Sequence, residues 1–283
     1  MERKPEWLRK KRVTDPNVET VEQLIKELGL NTVCREAMCP NYGECFSSRT
    51  ATFMILGRNC TRNCRFCNVT SAEPSPADPE EPLNVARGAA RLGLRYAVIT
   101  SVTRDDLPDG GAAHFAGTIR AIRAESPGTA IEVLIPDFRG DYNALKTVAD
   151  AAPDVISHNM ETVASLYAEV RPEAEYDRSL ELLARIKRLN GAIRSKSGIM
   201  LGLGETRGQV LELFGDLRKH GCELLTIGQY LAPSKLHHPV VEYVPPETFE
   251  EYGETAKGMG FSFVASAPFV RSSYRAGFGF AGG

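Results

Sequence analysis

Thr52-Phe-Met-Ile-Leu-Gly-Arg-Asn-Cys60-Thr-Arg-Asn-Cys64-Arg-Phe-Cys67 joins a short apolar run to three closely spaced cysteines. The run over 52–56 has the length of a strand and little alternation of apolar with polar residues, the pattern of a strand buried on both faces. Similar runs predict strands over 96–102, 130–135, 154–157, 198–201 and 224–229. Amphipathic segments predict helices between them, over 84–92, 112–123, 142–149, the pair 163–168 and 179–189, and 207–220. Strands and helices alternating in this way are βα units around a parallel sheet. Six units fall short of the eight of a closed barrel. The expected fold class is therefore α/β, an open six-stranded (β/α)6 partial TIM barrel with N- and C-terminal extensions; a doubly wound open sheet is the competing architecture. Right-handed crossovers would put the C-terminal end of every strand, and the motif that follows it, on one face. The barrel would span 50–244, with extensions over 1–49 and 245–283.

With 42% hydrophobic and 25% charged residues in 283, the chain can bury a full core. Lys and Arg number 34 against 36 Asp and Glu. That balance lacks the positive excess needed to bind a phosphate backbone, so nucleic acid is not an expected partner. Residues 1–13 are rich in Lys and Arg without an apolar signal-peptide core, and no later run is long enough to span a bilayer. A cytoplasmic protein with no membrane partner is expected.

Cytoplasmic cysteines are reduced, so metal binding or catalysis outranks disulfides as their purpose. Cys34, Cys39, Cys45, Cys60, Cys64 and Cys67 crowd into one stretch, whereas Cys222 stands alone and reads as a packed small residue. Each triplet supplies three thiolates. A structural zinc takes four protein ligands, and the first histidine, His114, lies far downstream. A 4Fe-4S cluster held by three thiolates keeps one iron open to a small molecule. The Cys34-x4-Cys39-x5-Cys45 spacing lacks the paired halves of a binuclear zinc site, and a two-cluster ferredoxin would want eight cysteines.

The Cys60-x3-Cys64-x2-Cys67 spacing, with Phe66 before the third cysteine, resembles the signature of the radical S-adenosylmethionine superfamily. The wider sequence resembles the lipoyl synthase family. The segment from Asn31 to Cys45, Asn-Thr-Val-Cys-Arg-Glu-Ala-Met-Cys-Pro-Asn-Tyr-Gly-Glu-Cys, looks like that family's auxiliary-cluster segment. The likeness continues through Ile99-Thr-Ser-Val-Thr-Arg-Asp-Asp-Leu-Pro-Asp-Gly-Gly111, His158-Asn-Met-Glu-Thr162, Ser195-Lys-Ser-Gly-Ile-Met-Leu-Gly-Leu-Gly-Glu-Thr206, Gln229-Tyr-Leu-Ala-Pro-Ser234 and Arg271-Ser-Ser-Tyr274. The resemblance implies a sulfurtransferase with two 4Fe-4S clusters and S-adenosylmethionine. It would insert two sulfur atoms, at carbons six and eight, into an octanoyl chain amide-linked to a lysine. Implied carriers are the glycine cleavage H protein and the acyltransferase subunits of 2-oxoacid dehydrogenases. An electron donor of ferredoxin or flavodoxin type and an iron-sulfur carrier protein are implied as further partners.

Cys60, Cys64 and Cys67 would hold the cluster that binds the cofactor. The resemblance assigns Cys34, Cys39, Cys45 and Ser273 to the auxiliary cluster, which is consumed as the sulfur source. Thr103, Arg104 and Asp105 follow the second strand and are candidates for the cofactor's amino end; an ordinary loop is the competing reading. Asn159 and Glu161 could bond the ribose hydroxyls or cap a helix. Arg171 and Lys196 are candidate cations for the cofactor's carboxylate. Gly202 and Gly204 would permit close backbone approach to adenosine, with Glu205 beside them. His237 and His238 read as loop-holding residues.

Overall fold

A computed structural model of the chain describes residues 4–10, 13–274, 276 and 277. Contacts among the described residues separate two units, one of 13–62 with 68–156 and the other of 4–10, 63–67, 157–274, 276 and 277.

The first unit begins with α1 (Pro16–Glu27), whose Asp15 cap accepts from the Asn17 N–H at 2.8 Å. Then follow β1 (Asn31–Thr32), α2 (Val33–Glu36), α3 (Tyr42–Ser47), β2 (Thr52–Ile55), β3 (Asn59–Cys60) and β4 (Thr70–Ser71). The remainder is α4 (Glu81–Leu92), β5 (Tyr96–Ser101), α5 (Ala112–Glu125), β6 (Ala130–Leu134), α6 (Tyr142–Asp150) and β7 (Val155–Ser157). β2, β5 and β6 pair in parallel, β7 lies beside β6, and β1 adds an antiparallel edge to β2. Phe53, Ile55, Ile99, Ile131 and Val133 of the strands are buried, as are Val85, Phe115, Ile119 and Val148 of the helices. Each such side chain contributes about 1.5–3 kcal/mol on leaving water.

The second unit carries α7 (Tyr167–Val170), α8 (Tyr176–Leu189), β8 (Arg194–Leu201), α9 (Arg207–Lys219), β9 (Leu224–Gln229), α10 (Pro246–Gly258) and β10 (Phe263–Ser266). β8, β9 and β10 run parallel. Thr206 and Gln209 form a reciprocal capping box that starts α9. Leu183, Ile186, Val210, Phe214, Leu217 and Ile227 fill the space between helices and strands.

All six expected strands form, as do the expected helices apart from the segment 163–168. The strand expected over 198–201 begins at Arg194 instead. Buried Ser195 and Ser197 interrupt its apolar run, and the Ser195 hydroxyl is satisfied by the Gly221 carbonyl at 2.6 Å. The segment expected as a helix over 163–168 is a tight turn, Ala164–Leu166, that runs into α7. Among the described residues four strands lie beyond the expected six: β1 in the N-terminal extension, the short parallel pair β3 and β4, each too short to show a pattern, and β10 in the C-terminal extension after α10.

Candidate functional site

Within the first unit, Cys60 closes β3, and its sulfur accepts from the Thr103 N–H at 3.3 Å and the Arg62 N–H at 3.5 Å. Thr61 donates twice to the Thr103 carbonyl, through N–H and hydroxyl, each at 3.1 Å. The Asp105 N–H donates back to the Thr61 hydroxyl at 3.1 Å. Arg62 is 6% exposed and lies between two carboxylates. Its Nε donates to Asp105 Oδ2 at 2.6 Å, and its Nη2 reaches Asp137 Oδ1 at 2.7 Å and Asp105 Oδ1 at 3.0 Å. Burial opposes the Arg62 charge, but the bonds to Asp105 and Asp137 outweigh it and raise its pKa. Arg139 adds a contact to Asp105 at 3.3 Å.

Arg104 is turned elsewhere. Its Nη1 donates to the Leu56 carbonyl at 3.2 Å, and its Nη2 pairs with Asp106 at 2.9 Å, a bond that lowers the Asp106 carboxyl. Leu56 has the left-handed φ of 69°, a conformation that costs a residue of this kind about 1–3 kcal/mol. Its N–H is held as well, by buried Glu81 at 2.7 Å, whose same oxygen lies 2.7 Å from His114 Nε2. The strained exit of β2 is thus fixed at both its polar atoms.

In the second unit, residues 63–67 are held mainly through their backbone. The Asn63 N–H donates to Glu173 at 2.7 Å, the Arg65 N–H to the Val170 carbonyl at 2.9 Å, and the His238 N–H to the Arg65 carbonyl at 2.8 Å. Phe66 packs against buried Val170, Leu203 and Tyr230. His237 Nε2 lies 3.1 Å from the Cys67 carbonyl, and His238 Nε2 lies 2.8 Å from the Leu203 carbonyl. The His237 imidazole and the His238 N–H hold the loop at Cys67 and Arg65, while the His238 imidazole is engaged with the Leu203 carbonyl.

Asn159 donates to Glu161 Oε1 at 3.0 Å, while Asn159 Oδ1 is buried without a hydrogen-bond partner among the described residues. Burial raises the Glu161 carboxyl; the nearby Arg171 charge opposes this. Arg171 Nη1 donates to the Asn159 carbonyl at 2.9 Å, the Met160 carbonyl at 3.2 Å and the Tyr167 hydroxyl at 2.9 Å. Glu205 accepts from the Gly202 and Leu203 N–H groups at 2.6 and 2.9 Å. A Cβ at Gly202 would come within 2.3 Å of Gln229 Nε2 and the Glu242 carbonyl, so this glycine answers to the chain's own packing. Gly204, at φ 117°, has open space apart from Val241. Lys196, buried in β8, donates to the Ser272 carbonyl at 2.6 Å. Gly228 in β9 lets the Val270 carbonyl approach to where a Cβ would sit 2.1 Å away. These two contacts seat the 271–274 turn, and with it Ser273, beside β8 and β9.

The N-terminal triplet lies in the first unit. Cys34 is on α2 and Cys45 on α3; Cys39 stands between them, its N–H bonded to the Cys34 carbonyl at 3.2 Å. A cavity of about 690 Å³ opens beside Cys34 and Cys39, lined also by Arg35, Glu36, Tyr42 and Arg58. Burial pushes the Cys34 thiol up to about 11, and that of Cys222 up to about 12. Cys34 is therefore a protonated thiol at neutral pH, and any metal that it binds must displace a proton. In apoprotein, alkylation of Cys34 by iodoacetamide is expected to quicken about tenfold per pH unit from pH 7 and to level off only near 11. Peptide mass mapping over a pH series reads this; a plateau near pH 8 would contradict it. Among the described residues, no three His, Cys, Asp or Glu side chains converge on the position of a single metal ion. In a four-iron cluster each thiolate binds a different iron, so its ligands stand farther apart.

Residues 54–217 match the Radical SAM superfamily. The lipoyl synthase of Alkaliphilus metalliredigens is 56% identical over 276 residues, which cover 98% of this chain and 95% of that one. The chain belongs to the lipoyl synthase family. A second lipoyl synthase, from Caldanaerobacter subterraneus subsp. tengcongensis, is 57% identical over 277 residues, covering 98% and 97% of the two chains. Lipoyl synthases of the radical SAM superfamily are sulfur-inserting enzymes that use a 4Fe-4S cluster and S-adenosylmethionine, and this chain is one of them. The fold is shared with Streptococcus suis SuiB, solved with its precursor peptide SuiA. That structure matches with a TM-score of 0.59 at 12% identity, over 75% of this chain and 47% of that one. At such identity the likeness is one of fold alone. Among the described residues, no helix is long and apolar enough to cross a membrane.

The sequence singled out Thr103, Arg104 and Asp105 as one group, and the structure divides them: Thr103 and Asp105 serve the Cys60 loop, Arg104 the Leu56 turn. Arg62, Asp137, Glu81 and His114 were not singled out. Their signal was available for two of them, since Arg62 lies between the first two cysteines of the triplet and Asp137 follows the third strand of the lipoyl synthase sheet.

Proposed function

We propose that this lipoyl synthase converts a carrier-bound octanoyl-lysine to lipoyl-lysine, with two three-thiolate sets holding two 4Fe-4S clusters. The observation that carries the reading is the pairing of two cysteine triplets in a chain more than half identical to lipoyl synthases along nearly its whole length. Cys60, Cys64 and Cys67 hold one cluster; Cys34, Cys39, Cys45 and Ser273 hold the other. When bound, the first cluster and S-adenosylmethionine supply a 5′-deoxyadenosyl radical, and the second cluster supplies sulfur.

The chain's own part is binding and orientation. Two backbone N–H groups point at the Cys60 sulfur. Asn159 keeps a buried acceptor, Oδ1, with no partner among the described residues, which suits a ribose hydroxyl, and Glu161 stands next to it. Arg171 presents a guanidinium whose Nη1 is fixed by two carbonyls and a phenol, so it meets the cofactor's carboxylate in a set orientation. Lys196 acts indirectly, by holding the Ser272 carbonyl and so setting Ser273. Thr103, Arg104 and Asp105 shape the walls, and Gly204 offers open backbone to adenosine. The substrates are octanoylated H protein and 2-oxoacid dehydrogenase acyltransferase subunits. A ferredoxin or flavodoxin supplies electrons, and an iron-sulfur carrier restores the second cluster, in the cytoplasm.

Anaerobic incubation with S-adenosylmethionine, a reductant and an octanoylated H protein, followed by mass spectrometry of the lysine peptide, tests this. Gain of two sulfurs with formation of 5′-deoxyadenosine is expected. Cleavage of the cofactor without any sulfur in the peptide, from protein holding both clusters, would overturn the substrate assignment.

A further inference from the structure

Arg62 and Asp137 have no place in the reaction as described so far, yet with Asp105 they make up a buried charge network next to the first cysteine of the radical triplet. The Arg62 side chain is 5% exposed and the Asp137 side chain 0%. Burying three charges costs more in desolvation than an apolar cluster of the same volume would, so stability alone does not explain their presence. What the network fixes is geometry. The planar guanidinium holds Asp105 with two bonds and Asp137 with a third, while the Asp105 N–H bonds Thr61 and Thr61 bonds the Thr103 carbonyl. The two backbone N–H groups aimed at the Cys60 sulfur belong to Arg62 and Thr103, the two ends of that chain of bonds.

We propose that the Arg62–Asp105–Asp137 network is a positioning device that holds the Arg62 and Thr103 N–H groups on the Cys60 sulfur and thereby sets the reduction potential of the cluster bound there. The inference rests on the reading of Cys60 as a cluster ligand. Hydrogen bonds to a ligating sulfur favour the reduced cluster, which carries one more negative charge, and so raise its potential. Loosening the network should therefore make the cluster harder to reduce without removing a ligand.

The test uses reconstituted holoenzyme of the wild type, Arg62→Lys and Asp137→Asn. Arg62→Lys keeps the charge and loses the planar fork; Asp137→Asn keeps the shape and loses the charge. The readout is a redox titration followed by electron paramagnetic resonance, on the signal that changes when S-adenosylmethionine is added. At a fixed poise near the midpoint, the ratio of reduced to oxidised cluster is expected to fall about tenfold, a shift of about 59 mV for one electron. Selective loss of this cluster's iron from a folded variant that keeps the other cluster would also support the positioning role. A cluster-loaded variant of either kind with the wild-type potential would overturn it. Unfolding of both variants would reduce the network to a stability element and overturn it too. Iron content of Cys60→Ala separates the underlying reading: full retention of both clusters there would refute Cys60 as a ligand, whatever Arg62 does.

Discussion

Replacing Cys60, Cys64 and Cys67 together with Ala is expected to remove about half of the iron from reconstituted protein and to abolish 5′-deoxyadenosine formation. Full wild-type protein should hold about eight irons and eight sulfides per chain, as follows from the proposal that each triplet binds one four-iron cluster. The loss should be selective. Cys34, Cys39 and Cys45 lie on α2, α3 and the link between them, where the Cys39 N–H bonds the Cys34 carbonyl at 3.2 Å and the Cys45 N–H the Asn41 carbonyl at 2.9 Å. The converse variant, with Ala at Cys34, Cys39 and Cys45, should keep the other half of the iron and still cleave S-adenosylmethionine, yet make no lipoyl product. Iron and sulfide assays beside chromatography of the nucleoside distinguish the two. Stoichiometric zinc and no iron after anaerobic reconstitution would refute both expectations, as would lipoyl formation at the wild-type level by the 34/39/45 variant.

The fold was legible because its signal is periodic. Apolar runs at 52–56, 96–102, 130–135 and 224–229 became β2, β5, β6 and β9 with ends shifted by a residue at most, since strands buried on both faces must be apolar throughout. β8 shows where that signal stops. Ser195, Lys196 and Ser197 are polar and buried, and what makes them tolerable inside a strand is long-range: the Gly221 carbonyl for Ser195, the Ser272 carbonyl for Lys196. No local pattern reveals a partner seventy-six positions away.

The site divides in the same way. Cysteines declare themselves by type and spacing, and the two triplets were plain from composition. Residues that act by holding others carry no such mark. His237 reads as a loop residue with or without its contact to the Cys67 carbonyl, and Glu81 lies ahead of the helix expected over 84–92 with nothing local to mark it. In the fold Glu81 is buried and holds the Leu56 N–H, which a helix-start preference does not foretell. Arg171 and Lys196 were both picked as cations for a carboxylate. Lys196 Nζ donates to the Ser272 carbonyl and Arg171 Nη1 to the Asn159 and Met160 carbonyls, contacts that tertiary structure alone supplies.

Changing Ser273, the proposed fourth ligand of the auxiliary cluster, is expected to impair sulfur transfer specifically, because an aliphatic hydroxyl is a poor ligand for iron among thiolates. As a ligand beside three soft thiolates, its hard oxygen would leave one iron the most weakly held, and a cluster that gives up sulfur would need an iron that can leave. The 271–274 turn is suited to holding such a ligand in place. Lys196 grips the Ser272 carbonyl at 2.6 Å, the Tyr274 N–H closes the turn on the Arg271 carbonyl at 2.9 Å, and the preceding Val270 carbonyl lies against Gly228. The backbone being fixed, a side-chain exchange at Ser273 changes the donor atom more than its position. Ser273→Cys should keep about four irons in the auxiliary cluster and slow single-turnover lipoyl formation at least tenfold, since thiolate holds the iron that oxygen would release. Ser273→Ala should leave that iron open and shorten the cluster's lifetime under a chelator, while 5′-deoxyadenosine formation continues in both variants. Iron content, chelator challenge and single-turnover product are measured together. Wild-type lipoyl yield from Ser273→Cys with its cluster retained would show that a labile oxygen ligand is not required for sulfur to leave.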